Sequence, residues 1–349
     1  MKVLRIRNNL ESVVKESISA LQKDGLIVFP SDTVYGLGVD PYSSQAVEKL
    51  FAIKSRPLTK AVSVLVDSRA TAEKYVYLNP EAKNFYRDFL PGPFTVVSKV
   101  KKPSLLSPKI YSGIDTLGVR IPDYLFLREL VRVYGRPITA TSANISGKSP
   151  HYRIDSFIKS LSVKRKSLID LAIDAGTLPR NKPSTVVDFS QGRINELRRG
   201  DLSFGKARVY QSSSPEETKN IAKQLLKDHY RKTKVPLLFA LVGELGTGKT
   251  TFCQGIGGYF SIDRVNSPTF NISKEYVFAF GVFYHIDTYR LESGEELLDL
   301  GFEKMLKKGN IIAIEWAQKA QKLLSGASAK VIWVFLKGEN GKRKILVYL

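Results

Sequence analysis

Leu241-Val242-Gly243-Glu244-Leu245-Gly246-Thr247-Gly248-Lys249-Thr250-Thr251 is the end of an apolar strand running into G-x-x-x-x-G-K-T and then into a helical stretch. A loop of this composition wraps its backbone N–H groups around phosphates, and the helix behind it adds the positive end of its dipole. Lys249 has the length to reach β- and γ-phosphates, and the Thr250 hydroxyl is placed for Mg²⁺. Gly243, Gly246, Thr247, Gly248, Lys249, Thr250 and Thr251 are therefore the expected ATP-binding residues of an α/β domain. The loop alone serves kinases, GTPases and ATPases alike. No Asn-Lys-x-Asp guanine-reading motif occurs, which favours ATP over GTP. Downstream, Ile311-Ile312-Ala313-Ile314-Glu315-Trp316 is an apolar strand ending in a carboxylate, and Glu315 is expected to give a second Mg²⁺ contact or to orient water.

Working outward from the loop, Ser214-Pro215-Glu216-Glu217 has the residues of a helix start, with Ser214 as N-cap and Pro215 as first helical residue of a helix over 215–228. A strand over 236–242 leads into the loop, and a strand-rich stretch over 270–286, an acidic helix over 292–300 and a strand over 311–315 follow it. Composition shifts over 200–214, which places a boundary near residue 205 and predicts two domains, 1–205 and 206–349. The first domain opens with a strand, a helix over 11–23 and an apolar strand over 26–29. Further strands are expected at 62–66, 94–100, 117–121, 138–141, 171–174 and 185–189, with helices near 46–52, 125–133 and 155–160. Strands alternating with helices make this half α/β or α+β as well.

Composition narrows the function classes. With 43% hydrophobic and 25% charged residues, the chain has the make-up of packed globular domains. Cys253, the only cysteine, excludes an internal disulfide framework and a cysteine-rich zinc module, and reads as a small packed residue. His285 and Asp287 have the types of a metal pair, but three histidines in all argue against a zinc site. Apolar runs such as 235–242 and 311–314 are far shorter than the roughly 18 residues of a membrane span. The start, Met1-Lys-Val-Leu-Arg-Ile-Arg, has no signal core, so a cytoplasmic protein without membrane contact is expected. The formal net charge of +21 is uneven: 34 basic against 19 acidic residues over 1–210, and 20 against 14 over 211–349. A polyanion such as tRNA is one reading of the basic N-terminal half and plain solvated charge the other; charge alone does not separate them.

Three stretches of that half carry chemistry. Phe29-Pro30-Ser31-Asp32-Thr33-Val34-Tyr35-Gly36-Leu37-Gly38 follows a strand and packs hydroxyls and glycines into one turn. Lys54-Ser55-Arg56-Pro57 sets two cations after a helix, and Thr139-Ala140-Thr141-Ser142-Ala143-Asn144-Ile145-Ser146-Gly147 ends a strand in hydrogen-bonding side chains. A triphosphate substrate needs cations to neutralise its oxygens and hydroxyls or amides to orient them. Arg120, in Gly118-Val119-Arg120-Ile121-Pro122, suits a substrate carboxylate through a two-pronged contact. Ser184-Thr185-Val186-Val187-Asp188 and Leu197-Arg198-Arg199-Gly200 complete the set.

In their joint order, these N-terminal segments resemble the YrdC/TsaC family of threonylcarbamoyl-AMP synthases over roughly residues 10–203. The resemblance implies a twisted α/β domain with a basic cleft, with L-threonine, bicarbonate and ATP as substrates and threonylcarbamoyl-adenylate and pyrophosphate as products. It implies Thr33, Arg120, Ser142 and Ser184 around threonine, and Lys54, Arg56, Lys60, Thr116, Asn144, Tyr152 and Arg198 around ATP. Ser31 stands where the family often has threonine, Arg199 where proline often follows the arginine, and Leu65 where longer relatives carry histidine. The C-terminal half, with Ser267-Pro268-Thr269-Phe270, His285-Ile286-Asp287-Thr288-Tyr289-Arg290 and Glu315-Trp316 in order behind the phosphate loop, resembles the TsaE family of P-loop ATPases. That implies Mg²⁺ at Thr250 and Glu315, a switch-like segment at Thr269, Asp287 as a further functional carboxylate, and a TsaB/TsaD-type transferase complex as partner. Lys54, Arg56, Arg120, Asp287 and Glu315 are the expected catalytic residues of a natural fusion serving threonylcarbamoyladenosine formation in tRNA. An RNA-binding role for the basic half and a small-molecule kinase role for the other are the competing readings.

Overall fold

The computed structural model of the protein describes residues 1–6, 9–55, 57, 60–102, 104, 106–191, 194–202, 208–339 and 342–349. It divides into two compact units, Met1–Asp201 and Leu202–Leu349. The boundary expected near 205 falls at 203–207, outside the described residues.

In the first unit, the helix Leu10–Gln22 starts where the Asn9 side chain accepts from Ser12 N, and its apolar stripe of Val13, Val14 and Leu21 packs beside Phe126, Leu127 and Leu130 of the helix Leu125–Tyr134. Both cover the sheet residues Ile27, Phe29, Ile138, Leu171 and Ile173, all nearly free of solvent contact. Among the described residues, ten strands lie in the order Lys2–Arg5, Leu171–Asp174, Ile27–Phe29, Gly36–Gly38, Ile138–Ser142, Ser63–Leu65, Thr116–Arg120, Phe94–Val100, Thr185–Asp188 and Asn195–Arg198, with Val76–Tyr77 added beside Phe94–Val100. Pairing is mixed, parallel between Ser63–Leu65 and Thr116–Arg120 and antiparallel between Ile138–Ser142 and its two neighbours. Four helices among the described residues of this unit, Arg69–Tyr75, Pro80–Phe89, Pro108–Tyr111 and Val163–Lys166, are not among the sequence expectations. The second carries a readable start: Asn79 accepts from Ala82 N at 2.8 Å and Pro80 opens the first turn. Phe85 and Phe89 of this helix pack with Phe94 and Phe189.

Among its described residues, the second unit has a seven-stranded sheet in the order Arg208–Ser212, Lys342–Tyr348, Lys330–Glu339, Leu237–Val242, Ile311–Glu315, Gly281–Asp287 and Ser273–Phe278. Four adjacent strands, from Lys330–Glu339 to Gly281–Asp287, run parallel. Leu237–Val242 is buried at every position, as expected of a strand covered on both faces. The helix Pro215–His229 begins as the sequence predicts, with Ser214 Oγ accepting from Glu217 N at 3.1 Å. It packs on the helix Lys249–Tyr259 through Gly255, where a Cβ would stand 2.5 Å from the Lys219 carbonyl oxygen. The acidic stretch over 292–300 forms only one helical turn, Glu296–Asp299, with Gly294 before it and Gly301 after it. No helix among the described residues is long and apolar enough to cross a membrane.

Because the obstructing atom at Gly255 is backbone, Gly255→Ala must separate the two helices. A loss of about 2 kcal/mol in the stability of the second unit is expected, read as a lowered midpoint in urea unfolding, while Gly326→Ala, which meets only a carbonyl at 3.9 Å, should leave it unchanged.

Candidate active sites

The first unit holds a cavity of about 320 Å³ whose polar lining comes from separate strand ends. Ser31 and Thr33 sit on the turn after Ile27–Phe29, Thr116 and Arg120 at the two ends of one strand, Ser142 at the end of another, Ser184 just before Thr185–Asp188, and Arg198 at the end of Asn195–Arg198. Arg120 is 8% exposed. Its Nη2 pairs with the Asp32 carboxylate and donates to Thr33 Oγ1 at 3.1 Å, while its Nε has no partner among the described residues. Burial pushes the Asp32 carboxyl above the usual carboxylate range, and the Arg120 charge offsets only part of that rise. Ser31 holds the turn itself: its Oγ donates to Val34 O at 2.7 Å and accepts from Thr33 N at 3.2 Å.

On the far wall, Arg198 grips Ser184 twice, Nε to the carbonyl and Nη2 to Oγ, each at 2.9 Å, and Ser184 Oγ lies 2.9 Å from Thr95 Oγ1. Lys54 is buried behind the lining, its Nζ donating to Asn144 O and Oδ1 at 3.0 Å each and to Ser142 O. Ser142 Oγ in turn donates to Asn144 Oδ1 at 2.7 Å. Lys54 thus differs from an exposed phosphate-binding cation; it braces the turn that presents Ser142 and Asn144. Tyr152 stands outside the lining and is tied to its rim, donating to Asn181 O at 2.8 Å, while Asn181 Nδ2 donates to Asp32 O at 3.1 Å. Lys60 is exposed and outside the lining, and Arg56 lies outside the described residues. Asp32, Ser31 and Thr95 were not assigned from sequence; Asp32 sits inside the hydroxyl-rich turn that was singled out, which was its only signal.

In the second unit, the phosphate loop, Glu315 and Asp287 meet at the carboxyl ends of three neighbouring parallel strands, where Leu241, Glu315 and Asp287 share one register row. Gly248 has φ +99°, which the loop can adopt only because no Cβ is present. Lys249 Nζ donates to the Gly243 and Glu244 carbonyls at 2.9 Å and lies 3.9 Å from the centre of the Trp316 ring. Burial pulls the Lys249 amine below its usual range, with Glu315 and Asp287 acting the other way. Thr250 Oγ1 donates to Glu315 Oε1 at 2.9 Å, and His285 Nε2 lies 2.8 Å from the same oxygen. Thr269 Oγ1 donates to Asp287 Oδ2 at 2.6 Å and Tyr289 N to Oδ1 at 2.9 Å. Thr250 with Glu315 and Thr269 with Asp287 thus form two pairs of hard oxygen donors at neighbouring strand ends, the donor type that suits Mg²⁺. Ligand atoms of Cys253, His285 and Glu315 also lie within 4.8 Å of one another, and burial pushes the Cys253 thiol up from its ordinary pKa. The contacts of His285 with Glu315 and of Trp316 with Lys249 have no signal in the sequence, because side chains from separate strand ends meet only in the folded sheet.

The fold and these two sites describe a mixed α/β protein in which an arginine-lined polar cavity precedes a phosphate-loop domain. The family model for Sua5, YciO and YrdC proteins, described as telomere recombination, matches residues 19–200, and that for the threonylcarbamoyl adenosine biosynthesis protein TsaE matches residues 212–345. The chain belongs to the Sua5/YciO/YrdC family and carries a TsaE domain behind it. A protein of Methanocaldococcus jannaschii, provisionally named a threonylcarbamoyl-AMP synthase, is 35% identical over 209 residues, 59% of this chain and 96% of that protein. The threonylcarbamoyl-AMP synthase of Bacillus subtilis is 28% identical over 228 residues, 63% of this chain and 64% of its own length. Among solved structures, Pyrococcus abyssi Sua5 complexed with L-threonine matches at TM-score 0.53 and 19% identity over 95% of this chain and 99% of that one, and E. coli YciO at 0.51 and 22% over 57% and 94%. At those identities the likeness is one of fold, and it agrees with the mixed α/β architecture.

Removing Arg120 strands the buried Asp32 carboxylate. Arg120→Ala is expected to cost about 3–5 kcal/mol in urea unfolding of the first unit, and the double variant Asp32→Asn/Arg120→Ala to recover most of it; equal losses in the single and double variants would show that the pair is not the source.

Proposed function

We propose that the first unit condenses L-threonine, bicarbonate and ATP into threonylcarbamoyl-adenylate, with pyrophosphate and water leaving, and that the second hydrolyses ATP in support of a TsaB/TsaD-type transferase complex acting on tRNA. The observation that carries the synthase reading is the buried Arg120, which lines one cavity with the hydroxyls of Thr33, Ser142 and Ser184. A guanidinium edge in such a place fits an amino-acid carboxylate, and hydroxyls around it fit a substrate with a hydroxyl of its own. The relatives' names and the threonine bound to the Pyrococcus protein point the same way.

In this reading the threonine amine attacks CO₂ derived from bicarbonate. A carbamate oxygen then attacks the α-phosphorus of ATP, and the bond to pyrophosphate breaks. No side chain need become a nucleophile. Thr33, Arg120, Ser142 and Ser184 fix the amino acid, Thr116, Asn144, Tyr152 and Arg198 with Arg56 and Lys60 position the nucleotide and offset charge developing at phosphorus, and Lys54 acts through the Ser142–Asn144 turn that it braces. In the second unit, Lys249 turns from the Gly243 and Glu244 carbonyls to the phosphates, Asp287 orients the attacking water, and Thr269 reports the state of the site through Asp287. Thr250 and Glu315 are the residues that would hold Mg²⁺, whose chemistry there is neutralisation of the β- and γ-phosphate oxygens. Contact with tRNA, one of the two readings of the excess of cations over the first 210 residues, would be an added role of this half.

The purified chain, given ATP, Mg²⁺, bicarbonate and labelled L-threonine, is expected to release pyrophosphate and the adenylate. Ser184→Ala should raise the KM for threonine about tenfold by loss of a charge-linked hydrogen-bond partner, whereas Lys249→Ala should leave adenylate formation intact and abolish phosphate release. Absence of the adenylate in wild-type protein that binds ATP would reject the synthase reading in favour of RNA binding, and phosphorylation of an added metabolite would replace the ATPase by a kinase.

A further inference from the structure

Three side chains of different chemistry meet at the helix that follows the phosphate loop. Cys253 lies on that helix, Lys249–Tyr259, His285 in the strand Gly281–Asp287, and Glu315 at the end of the strand Ile311–Glu315. All three are buried, and the thiol sulfur, an imidazole nitrogen and a carboxylate oxygen lie within 4.8 Å of one another. His285 Nε2 stands 2.8 Å from Glu315 Oε1, while Nδ1 has no hydrogen-bond partner among the described residues. Buried polar atoms are nearly always paired, so an unpaired ring nitrogen in such a set marks a group able to take a ligand.

Sulfur, imidazole and carboxylate are the mixed donors that Zn²⁺ and Co²⁺ take, whereas Mg²⁺ takes oxygen. The residue counts argue against a cysteine-rich module, but one ligand of each kind suffices here, and only the fold assembles them. Of the charges nearby, Glu315 and Asp287 favour a cation and Lys249 opposes one. The thiol gives up its proton to solvent as the sulfur binds the metal. We propose that Cys253, His285 and Glu315 form a site for one borderline-soft divalent ion of the Zn²⁺ class, separate from the Mg²⁺ position at Thr250 and exclusive with it. Exclusion follows from a shared oxygen: Glu315 Oε1 accepts from Thr250 Oγ1 at 2.9 Å and faces His285 Nε2, so a carboxylate drawn to Cys253 and His285 is withdrawn from Thr250. The site itself goes beyond the ATPase reading; only its antagonism to Mg²⁺-nucleotide rests on that reading.

Co²⁺ is titrated into the full chain with absorbance as the readout. Cys253 is the only cysteine, so a sulfur-to-cobalt charge-transfer band reports this site alone. Wild type should develop the band with one Co²⁺ per chain, and added Zn²⁺ should bleach it. Cys253→Ala should lack the band, and His285→Gln and Glu315→Gln should each need at least about tenfold more Co²⁺, the loss that even a residue orienting a metal ligand commonly brings. Cooperative urea unfolding identifies which variants are folded. Absence of the band in wild type, or an unshifted titration in either variant that folds, overturns the proposal. Mg²⁺ with ADP should raise the Co²⁺ that wild type needs. A band insensitive to Mg²⁺-ADP, when dialysis shows ADP bound to wild type and not to Lys249→Ala, overturns the exclusion. If ADP does not bind at all, the phosphate-loop reading fails, while the band still decides the metal site.

Discussion

A buried guanidinium must be paired, and in the first unit that requirement joins two parts of the sheet. Arg120 ends one strand, and Asp32 and Thr33 follow another, with three strands between them in the sheet order. The contact therefore fixes the turn after Ile27–Phe29 against the end of Thr116–Arg120 and gives the cavity its wall. Asp32 holds one end of the guanidinium while Arg120 also lines the cavity, so one residue can serve both the fold and a ligand. Ser184, held by Arg198, and Ser142, braced by Lys54 and Asn144, are positioned in the same manner, each by a cation that spends its donors on backbone carbonyls as well as side chains.

Strand register does the corresponding work in the second unit. Leu241, Glu315 and Asp287 share a row across three parallel strands, so the loop and both carboxylates emerge side by side. From that row the contacts spread to Thr250, His285 and Thr269. Thr269 lies outside the sheet, and its bond to Asp287 is the link between the carboxylate row and the segment resembling a switch. The neighbouring Phe270 is 87% exposed, so movement of Thr269 would carry a large apolar side chain at the surface.

Much of this was legible in the sequence because local chemistry dictates it. The phosphate loop needs glycine at Gly248 for its positive φ, Ser214-Pro215 followed by Glu216 and Glu217 favours a helix start, and the buried strands Leu237–Val242 and Ile311–Glu315 appear as apolar runs. What could not be read depends on distance in the fold. Asp32 looks like a turn residue until Arg120 is seen beside it, and Lys54 looks like a surface cation until its bonds to Ser142 and Asn144 remove it from solvent. The helix over 292–300 was overestimated because acidic composition favours a helical start, whereas the flanking glycines limit it to one turn.

Equilibrium dialysis of labelled L-threonine against the full chain tests the central claim, that the Arg120 cavity is an amino-acid site distinct from the phosphate loop. One threonine per chain is predicted, with L-valine, the same shape without the hydroxyl, bound at least tenfold more weakly because the cavity's polar groups lose a partner. Threonine binding should persist in Lys249→Ala. No binding, or equal binding of threonine and valine, would contradict the account.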